Sequence, residues 1–132
     1  MSARILIVED EMLVAIELES LLSDLGYTVV GIAPDLHAAH AYFDDHVDLA
    51  LVDLNLRDGL TGPQIGARLS EKGVTVLFVT ANPRLLGNGI AGAIGVITKP
   101  ADEEMVRSAV GYALAVRGGL SAEAPPHLRL FA

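Results

Sequence analysis

The fold is decided by a short stretch near the N-terminus, in which Ile5-Leu6-Ile7-Val8 runs directly into Glu9-Asp10-Glu11. The apolar part has no alternating polar residues, so both of its faces are expected to be covered, as in a parallel strand of an α/β sheet. The acidic part begins where such a strand would end. This stretch therefore predicts a buried parallel strand with carboxylates at its C-terminal end.

Apolar, strand-like runs alternate with helix-length segments along the rest of the chain. Further apolar runs rich in β-branched residues occupy positions 27–32, 49–52, 74–79 and 93–97. Helix-length segments occupy positions 12–25, 35–44, 63–72 and 102–117. This alternation predicts an α/β fold, a (βα)5 doubly wound sheet of five parallel strands in the flavodoxin-like order 2-1-3-4-5.

Local signals refine three of the predicted helices. Asp102 can cap the last helix, and Thr61 with Gln64 can form a capping box at the third. The interval 83–92 contains three glycines, each of which disfavours a helix by roughly 1 kcal/mol relative to alanine. We therefore expect a short, irregular or mobile helix there.

The length of 132 residues is typical of one domain, which we assign to residues 1–119. Residues 120–132 form a C-terminal tail that is either frayed or docked. If it docks, Leu128, Leu130 and Phe131 are its apolar contacts, either on its own domain or on a second copy in a homodimer.

Composition excludes several classes of protein. Seventeen acidic residues against nine lysines and arginines give a formal net charge of −8, which argues against direct nucleic-acid binding. The absence of cysteine excludes disulfides, zinc thiolates and a cysteine nucleophile. The apolar runs are too short for a signal peptide or a bilayer span, so we expect a cytoplasmic protein with no membrane partner.

Polar side chains follow four of the predicted strands: Glu9 and Asp10, Asp53, Thr80 and Lys99. In a parallel sheet these strand ends lie at one edge, where ligands bind near the reversal of strand order. Clustered carboxylates repel unless a cation compensates them, and Mg²⁺ suits one or two carboxylates beside a phosphate. Singly, each residue could be a helix cap, a turn residue or a surface charge, but four at one edge predict a site for phosphoryl chemistry.

The stretch 5–11, with Asp53, Thr80-Ala81 and Lys99-Pro100, resembles the receiver domain of bacterial two-component response regulators. The resemblance covers about residues 3–118 and implies the receiver fold. It implies that Asp53 is the phosphoacceptor and becomes an aspartyl phosphate.

The resemblance also implies how Mg²⁺ is held. Its ligands would be Asp10, Asp53, the backbone carbonyl of Asn55, and Glu9 either directly or through water. No other cofactor is implied.

Three further positions complete the implied site. Lys99 would pair with the phosphoryl oxygens, Thr80 and Ala81 would bind them and report their arrival, and the Lys99-Pro100 peptide would be cis. The chain departs from the family pattern at Val96, where the family has a switch aromatic, and at Arg57, where a proline is frequent.

The resemblance implies a signalling protein that is not an enzyme in the ordinary sense, although it catalyses its own Mg²⁺-dependent phosphorylation and dephosphorylation. The phosphoryl donor would be a phosphohistidine on a sensor histidine kinase or a histidine phosphotransfer protein, and the product would switch contacts with a downstream protein. We expect a stand-alone, single-domain response regulator in a phosphorelay; the alternative is a piece of a longer regulator.

Three other functions stay open at this point. A phosphatase or phosphotransferase with an aspartyl-phosphate intermediate is disfavoured because Asn55 cannot act as the general acid two residues after Asp53. A flavin or nucleotide binder is disfavoured because Glu9-Asp10-Glu11 repels phosphate without a metal. A receiver that only binds partners, without being phosphorylated, is the third.

Overall fold

A computed structural model describes residues 2–131, and over these residues it contains a six-stranded sheet. The strands are β1 (Arg4–Val8), β2 (Thr28–Ala33), β3 (Leu49–Val52), β4 (Thr75–Thr80), β5 (Ala93–Thr98) and β6 (Leu128–Leu130). The helices are α1 (Met12–Asp24), α2 (Leu36–His40), α3 (Gly62–Glu71) and α4 (Glu103–Arg117), with a 3₁₀ turn at Pro83–Leu86.

The sheet order is β2-β1-β3-β4-β5-β6, and β1 to β5 are parallel to one another. The flavodoxin-like order 2-1-3-4-5 is therefore confirmed for the first five strands. The prediction of exactly five strands is wrong, because the C-terminal tail adds β6 antiparallel to β5. The alternation of strands and helices does not predict this strand, because β6 runs antiparallel and is not part of a βαβ unit.

The close approach of β6 to β5 requires a glycine at position 95. A Cβ atom there would lie 2.4 Å from the carbonyl oxygen of Arg129, a distance that real side chains do not adopt. The pairing aligns Gly95 with Leu130 and Ile97 with Leu128, and the amide of Phe131 donates to the carbonyl of Ile94 at 3.1 Å. Residues 128–131 of the tail are thus docked on their own domain.

Helices cover both faces of the sheet, as the apolar strands require. On one face, α1 buries Leu22 against β1 and β2, and α4 buries Val110 against β4 and β5. On the other face, α3 buries Ile65 and Leu69 in a second core cluster that includes Phe78 of β4. Among residues 2–131, no helix combines the length and the apolar character needed to cross a bilayer.

Helix boundaries follow the sequence signals in part. The Asp102 carboxylate caps α4 by accepting from the Met105 amide at 2.9 Å, as predicted. The capping box at α3 does not form: Thr61 accepts no cap hydrogen bond, and its hydroxyl donates to Asp58 at 2.6 Å. The interval after β4 contains a 3₁₀ turn rather than an α-helix, which fits its glycine content.

Candidate functional site

Two nearly buried carboxylates share one ammonium group at the C-terminal edge of the sheet. The Nζ of Lys99 donates to Glu9 Oε1 at 2.5 Å and to Asp53 Oδ2 at 2.8 Å. Glu9 is 2% exposed and Asp53 is 8% exposed, so water screens these charges weakly. The structure therefore brings together three of the residues predicted at this edge.

Backbone hydrogen bonds extend the sheet ladder through these residues and hold them in place. The Glu9 amide donates to the Ala33 carbonyl at 3.0 Å, and the Asp53 amide donates to the Val8 carbonyl at 2.9 Å. The Lys99 amide is tied in the same way to the Thr80 carbonyl at 2.9 Å. Each functional side chain thus leaves a strand end whose backbone is already fixed.

The electrostatics of the site follow from this burial. Desolvation raises the pKa of Glu9 and the negative charge of Asp53 adds to the rise, while the hydrogen bond from Lys99 opposes it. Burial alone would lower the pKa of Lys99, but hydrogen bonds and charges from Asp53 and Glu9 outweigh it, so this pKa is raised. Lys99 is therefore a permanent cation at neutral pH.

The oxygen donors at this edge suit a hard divalent cation. Carboxylate oxygens of Glu9, Glu11 and Asp53 lie within 4.8 Å of one another, and Mg²⁺ and Ca²⁺ prefer such oxygen ligands. The ligands implied by the sequence resemblance did not include Glu11. Its position as the third acid of the run, at the N-cap of α1, was the available signal.

Two predicted ligands lie outside this group of three carboxylates. Asp10 is half-buried, and its amide rather than its carboxylate contacts Glu9, at 3.1 Å from Oε2. Asn55 is exposed in the loop after β3. Their roles as metal ligands stay predictions.

The predicted switch positions have contrasting surroundings. Thr80 is buried and its Oγ1 accepts from the Asn82 amide at 3.1 Å, whereas Ala81 is exposed. Val96 is 1% exposed and belongs to the core cluster that contains Phe78. The Lys99-Pro100 peptide is cis.

The loop after Asp53 is packed tightly against its surroundings. A Cβ atom at Gly62 would lie 2.0 Å from the Asp53 carbonyl oxygen, so the start of α3 fits there only as glycine. On the outer side, the Arg57 guanidinium donates to Asp35 Oδ2 at 2.5 Å and 3.0 Å, which links the loops after β2 and β3. Both contacts restrict the backbone that carries Asp53.

The sequence of residues 5–111 matches the family model described as the response regulator receiver domain. The chain belongs to this family. Its receiver fold places Glu9, Asp53, Thr80 and Lys99 at the strand ends described above, which agrees with the resemblance drawn from their sequence.

Two PhyR proteins are similar to this receiver domain over most of its length. The phyllosphere-induced regulator PhyR of Methylorubrum extorquens is 34% identical over 118 residues, which are 86% of this chain and 44% of that protein. The receiver domain of Erythrobacter litoralis PhyR is 31% identical with a TM-score of 0.80, covering 92% of this chain and 97% of that one.

A third relative is longer than this chain. The anti-anti-sigma factor PhyR from Bartonella quintana is 28% identical with a TM-score of 0.76, covering 90% of this chain and 50% of that one. The receiver described here thus spans about half the length, or less, of the full-length relatives it matches.

Proposed function

We propose that this receiver domain is a phosphorylatable signalling switch that takes a phosphoryl group on Asp53. The observation that carries the proposal is the shared ammonium group: Lys99 donates to Asp53 at 2.8 Å and to Glu9 at 2.5 Å at the edge of the sheet. This arrangement supplies a nucleophilic carboxylate beside a fixed positive charge, which is what phosphoryl transfer needs most.

The proposed donor is a phosphohistidine on a sensor histidine kinase or a histidine phosphotransfer protein. A carboxylate oxygen of Asp53 attacks phosphorus, the N–P bond of the donor breaks, and an acyl phosphate forms on Asp53. The donor imidazole retains the electron pair of the broken bond and takes up a proton from solvent. Lys99 stabilises the charge on the oxygens of the transferred group, and the Thr80 hydroxyl and the Ala81 amide bind them.

Mg²⁺, when bound, would offset the negative charge of both the carboxylates and the phosphoryl oxygens. We propose that Asp10, Asp53, the Asn55 carbonyl and Glu9 hold it, with Glu9 acting directly or through water. The position of Glu11 adds a fourth carboxylate to this set.

A docking surface for the donor lies beside the site. The first turns of α1 expose Met12, Leu13 and Ile16, of which Leu13 is 79% exposed. This helix begins directly after Glu11, so a partner that covers these apolar side chains brings its phosphohistidine close to Asp53. The exposed apolar surface therefore supports a protein donor.

Downstream, we propose that phosphorylation changes contacts with another protein. One relative is named an anti-anti-sigma factor, and that name describes the relative. For this chain we propose only the kind of output, which is contact with another protein and not direct binding to nucleic acid.

The test is incubation with acetyl phosphate and Mg²⁺, followed by intact mass. We expect a gain of one phosphoryl group that EDTA prevents and that Asp53→Asn abolishes. Asp24→Asn is the matched control, because Asp24 is an exposed aspartate at the end of α1. Equal labelling of Asp53→Asn and the wild type would contradict the assignment of the acceptor.

The same samples discriminate the enzyme alternative. Sustained release of inorganic phosphate from a small phosphate ester, lost in Asp53→Asn, would favour a phosphatase over a receiver. No mass gain and no binding of beryllofluoride, a phosphoryl mimic, would favour a receiver that only binds partners.

A further inference from the structure

The segment between β4 and β5 depends on outside contacts for its shape. Residues 83–86 form one 3₁₀ turn, and Gly87, Gly89 and Gly92 all have positive φ angles. Glycines in these conformations lose much conformational freedom on folding, so the segment is intrinsically weakly ordered. It begins directly after the turn in which Thr80 accepts from the Asn82 amide.

The C-terminal segment, residues 128–131, supplies such contacts through one charged side chain. The Arg129 guanidinium donates to the carbonyl of Gly87 at 3.1 Å and to that of Pro83 at 3.3 Å. These two carbonyls bracket the 3₁₀ turn. Arg129 therefore joins both ends of the turn to β6.

Phe131 supplies an apolar contact at the same place. Its ring lies 6.3 Å from that of Phe78 and packs against the core cluster that contains Leu86. A Cβ atom at Gly89 would lie 2.5 Å from Cγ of Phe131, so the segment fits closely around the ring. The position next to the irregular turn is thus filled by a side chain from the other end of the chain.

We propose that the C-terminal segment is an ordering element for residues 83–92 and thereby raises the affinity of the Asp53 site for the phosphoryl group. This inference rests on the proposed function. If binding at the site orders the turn that follows Thr80, contacts that already order this turn reduce the entropy lost on binding. The two events are then linked, and each favours the other.

The test uses full-length Phe131→Ala and Arg129→Gln, with Leu130→Ala as the matched control. Leu130 lies in the same strand but is 44% exposed and lies outside both core clusters. Without ligand, we expect faster amide hydrogen exchange over residues 83–92 in the first two variants and no change in the control. Arg129→Gln keeps the test valid if Phe131→Ala folds poorly, because Arg129 is exposed.

The second measurement is binding of beryllofluoride in the presence of Mg²⁺. We expect Phe131→Ala and Arg129→Gln to weaken the apparent affinity by roughly fivefold or more, and Leu130→Ala to leave it unchanged. Equal affinity in all four proteins would overturn the linkage while the proposed function stands. An equal loss in Leu130→Ala would also overturn it, because the effect would then be general. No binding by the wild type would overturn the linkage together with a phosphorylatable site.

Discussion

The half of the sheet formed by β2, β1 and β3 differs from the half formed by β4, β5 and β6 in what covers its strands. In the first half, β1 and β3 lie under regular helices that are close to them in sequence, and the residues of β3 are buried throughout. In the second half, α4 covers one face, and on the other face α3 covers β4 only in part, so that a 3₁₀ turn beside β5 and Phe131 from the C-terminal segment complete the cover.

This difference separates two tasks. The half with regular helices carries Glu9 and Asp53, whose positions must be kept accurately for chemistry. The half with less regular cover carries Lys99, which pairs with both of these carboxylates, and also Thr80 and the segment 83–92, through changes in which we propose that the state of the site is transmitted. Weakly ordered segments are the ones available for such changes, because they open at low free-energy cost.

The largest expected effect compares the same substitution in the two halves. Leu22 of α1 is fully buried, and Leu86 of the 3₁₀ turn is 4% exposed. We expect Leu22→Ala to lower the free energy of unfolding by about 3–5 kcal/mol, because a regular helix cannot collapse into the cavity. Leu86→Ala should lower it by about 2 kcal/mol, at the low end for a buried leucine, because the glycine-rich turn can relax around the gap.

Chemical denaturation of both variants measures this difference. If Leu86→Ala is as destabilising as Leu22→Ala, the 3₁₀ turn is as rigid as a regular helix. The proposed difference between the two halves of the sheet is then wrong.

An intermediate effect compares two glycines that each approach a backbone carbonyl. A Cβ atom at Gly62 would meet the Asp53 carbonyl oxygen at 2.0 Å, and one at Gly95 would meet the Arg129 carbonyl oxygen at 2.4 Å. We expect Gly62→Ala to lower stability by about 3 kcal/mol and to abolish phosphorylation, because the backbone of the acceptor must move. Gly95→Ala should cost about 1 kcal/mol, because β6 can detach while the core remains.

Thermal unfolding and acetyl phosphate labelling of the two variants check this expectation. Gly111→Ala is a control, because a Cβ atom there has no neighbour within 4 Å. Full phosphorylation of Gly62→Ala would show that the Asp53 backbone tolerates displacement.

The smallest effect concerns the charge of Glu9. A carboxyl group whose pKa is raised by folding is penalised when ionised, so the penalty is present above the raised pKa and disappears below its ordinary value of 4.5. We therefore expect Glu9→Gln to raise the free energy of unfolding at pH 7 in metal-free buffer by about 1 kcal/mol, which raises the melting temperature by a few degrees. This gain should shrink as the pH falls toward 4.5.

Melting curves between pH 7 and pH 4 test the sign, with the exposed Glu17→Gln as the control. Asp35 has the opposite dependence, since its pKa is lowered by the Ala38 amide and by Arg57, and it loses stabilisation as the pH falls below 3.8. That loss is common to all variants, so it cancels in the difference in melting temperature between Glu9→Gln and the wild type. A melting temperature of Glu9→Gln below that of the wild type at pH 7 would show that the pair with Lys99 outweighs desolvation.

Much of the fold and site was predictable because the signals are local. The apolar runs 5–8 and 49–52 each bury both faces of a strand, which specifies parallel strands under helices. Once the strands are parallel, their ends coincide at one edge, so Glu9, Asp53 and Lys99 had to approach one another. The cap at Asp102 was predictable for the same reason, since it involves residues within one turn.

Other features required the tertiary structure, because they join residues that are distant in sequence. Docking of Leu128 and Phe131 depends on a glycine at position 95 and on space beside an irregular turn, neither of which the tail sequence encodes, and the predicted apolar contact of Leu130 is not made, because its side chain is exposed. The inclusion of Glu11 in the acidic group depends on the direction in which α1 leaves β1. The sequence by itself predicted the five parallel strands and the polar residues that follow them at one edge, because periodicity and strand ends are local properties. Only the tertiary structure decided that β6 pairs with β5 and that Phe131 completes the cover beside the 3₁₀ turn, because such packing depends on all the surfaces that the folded chain brings together.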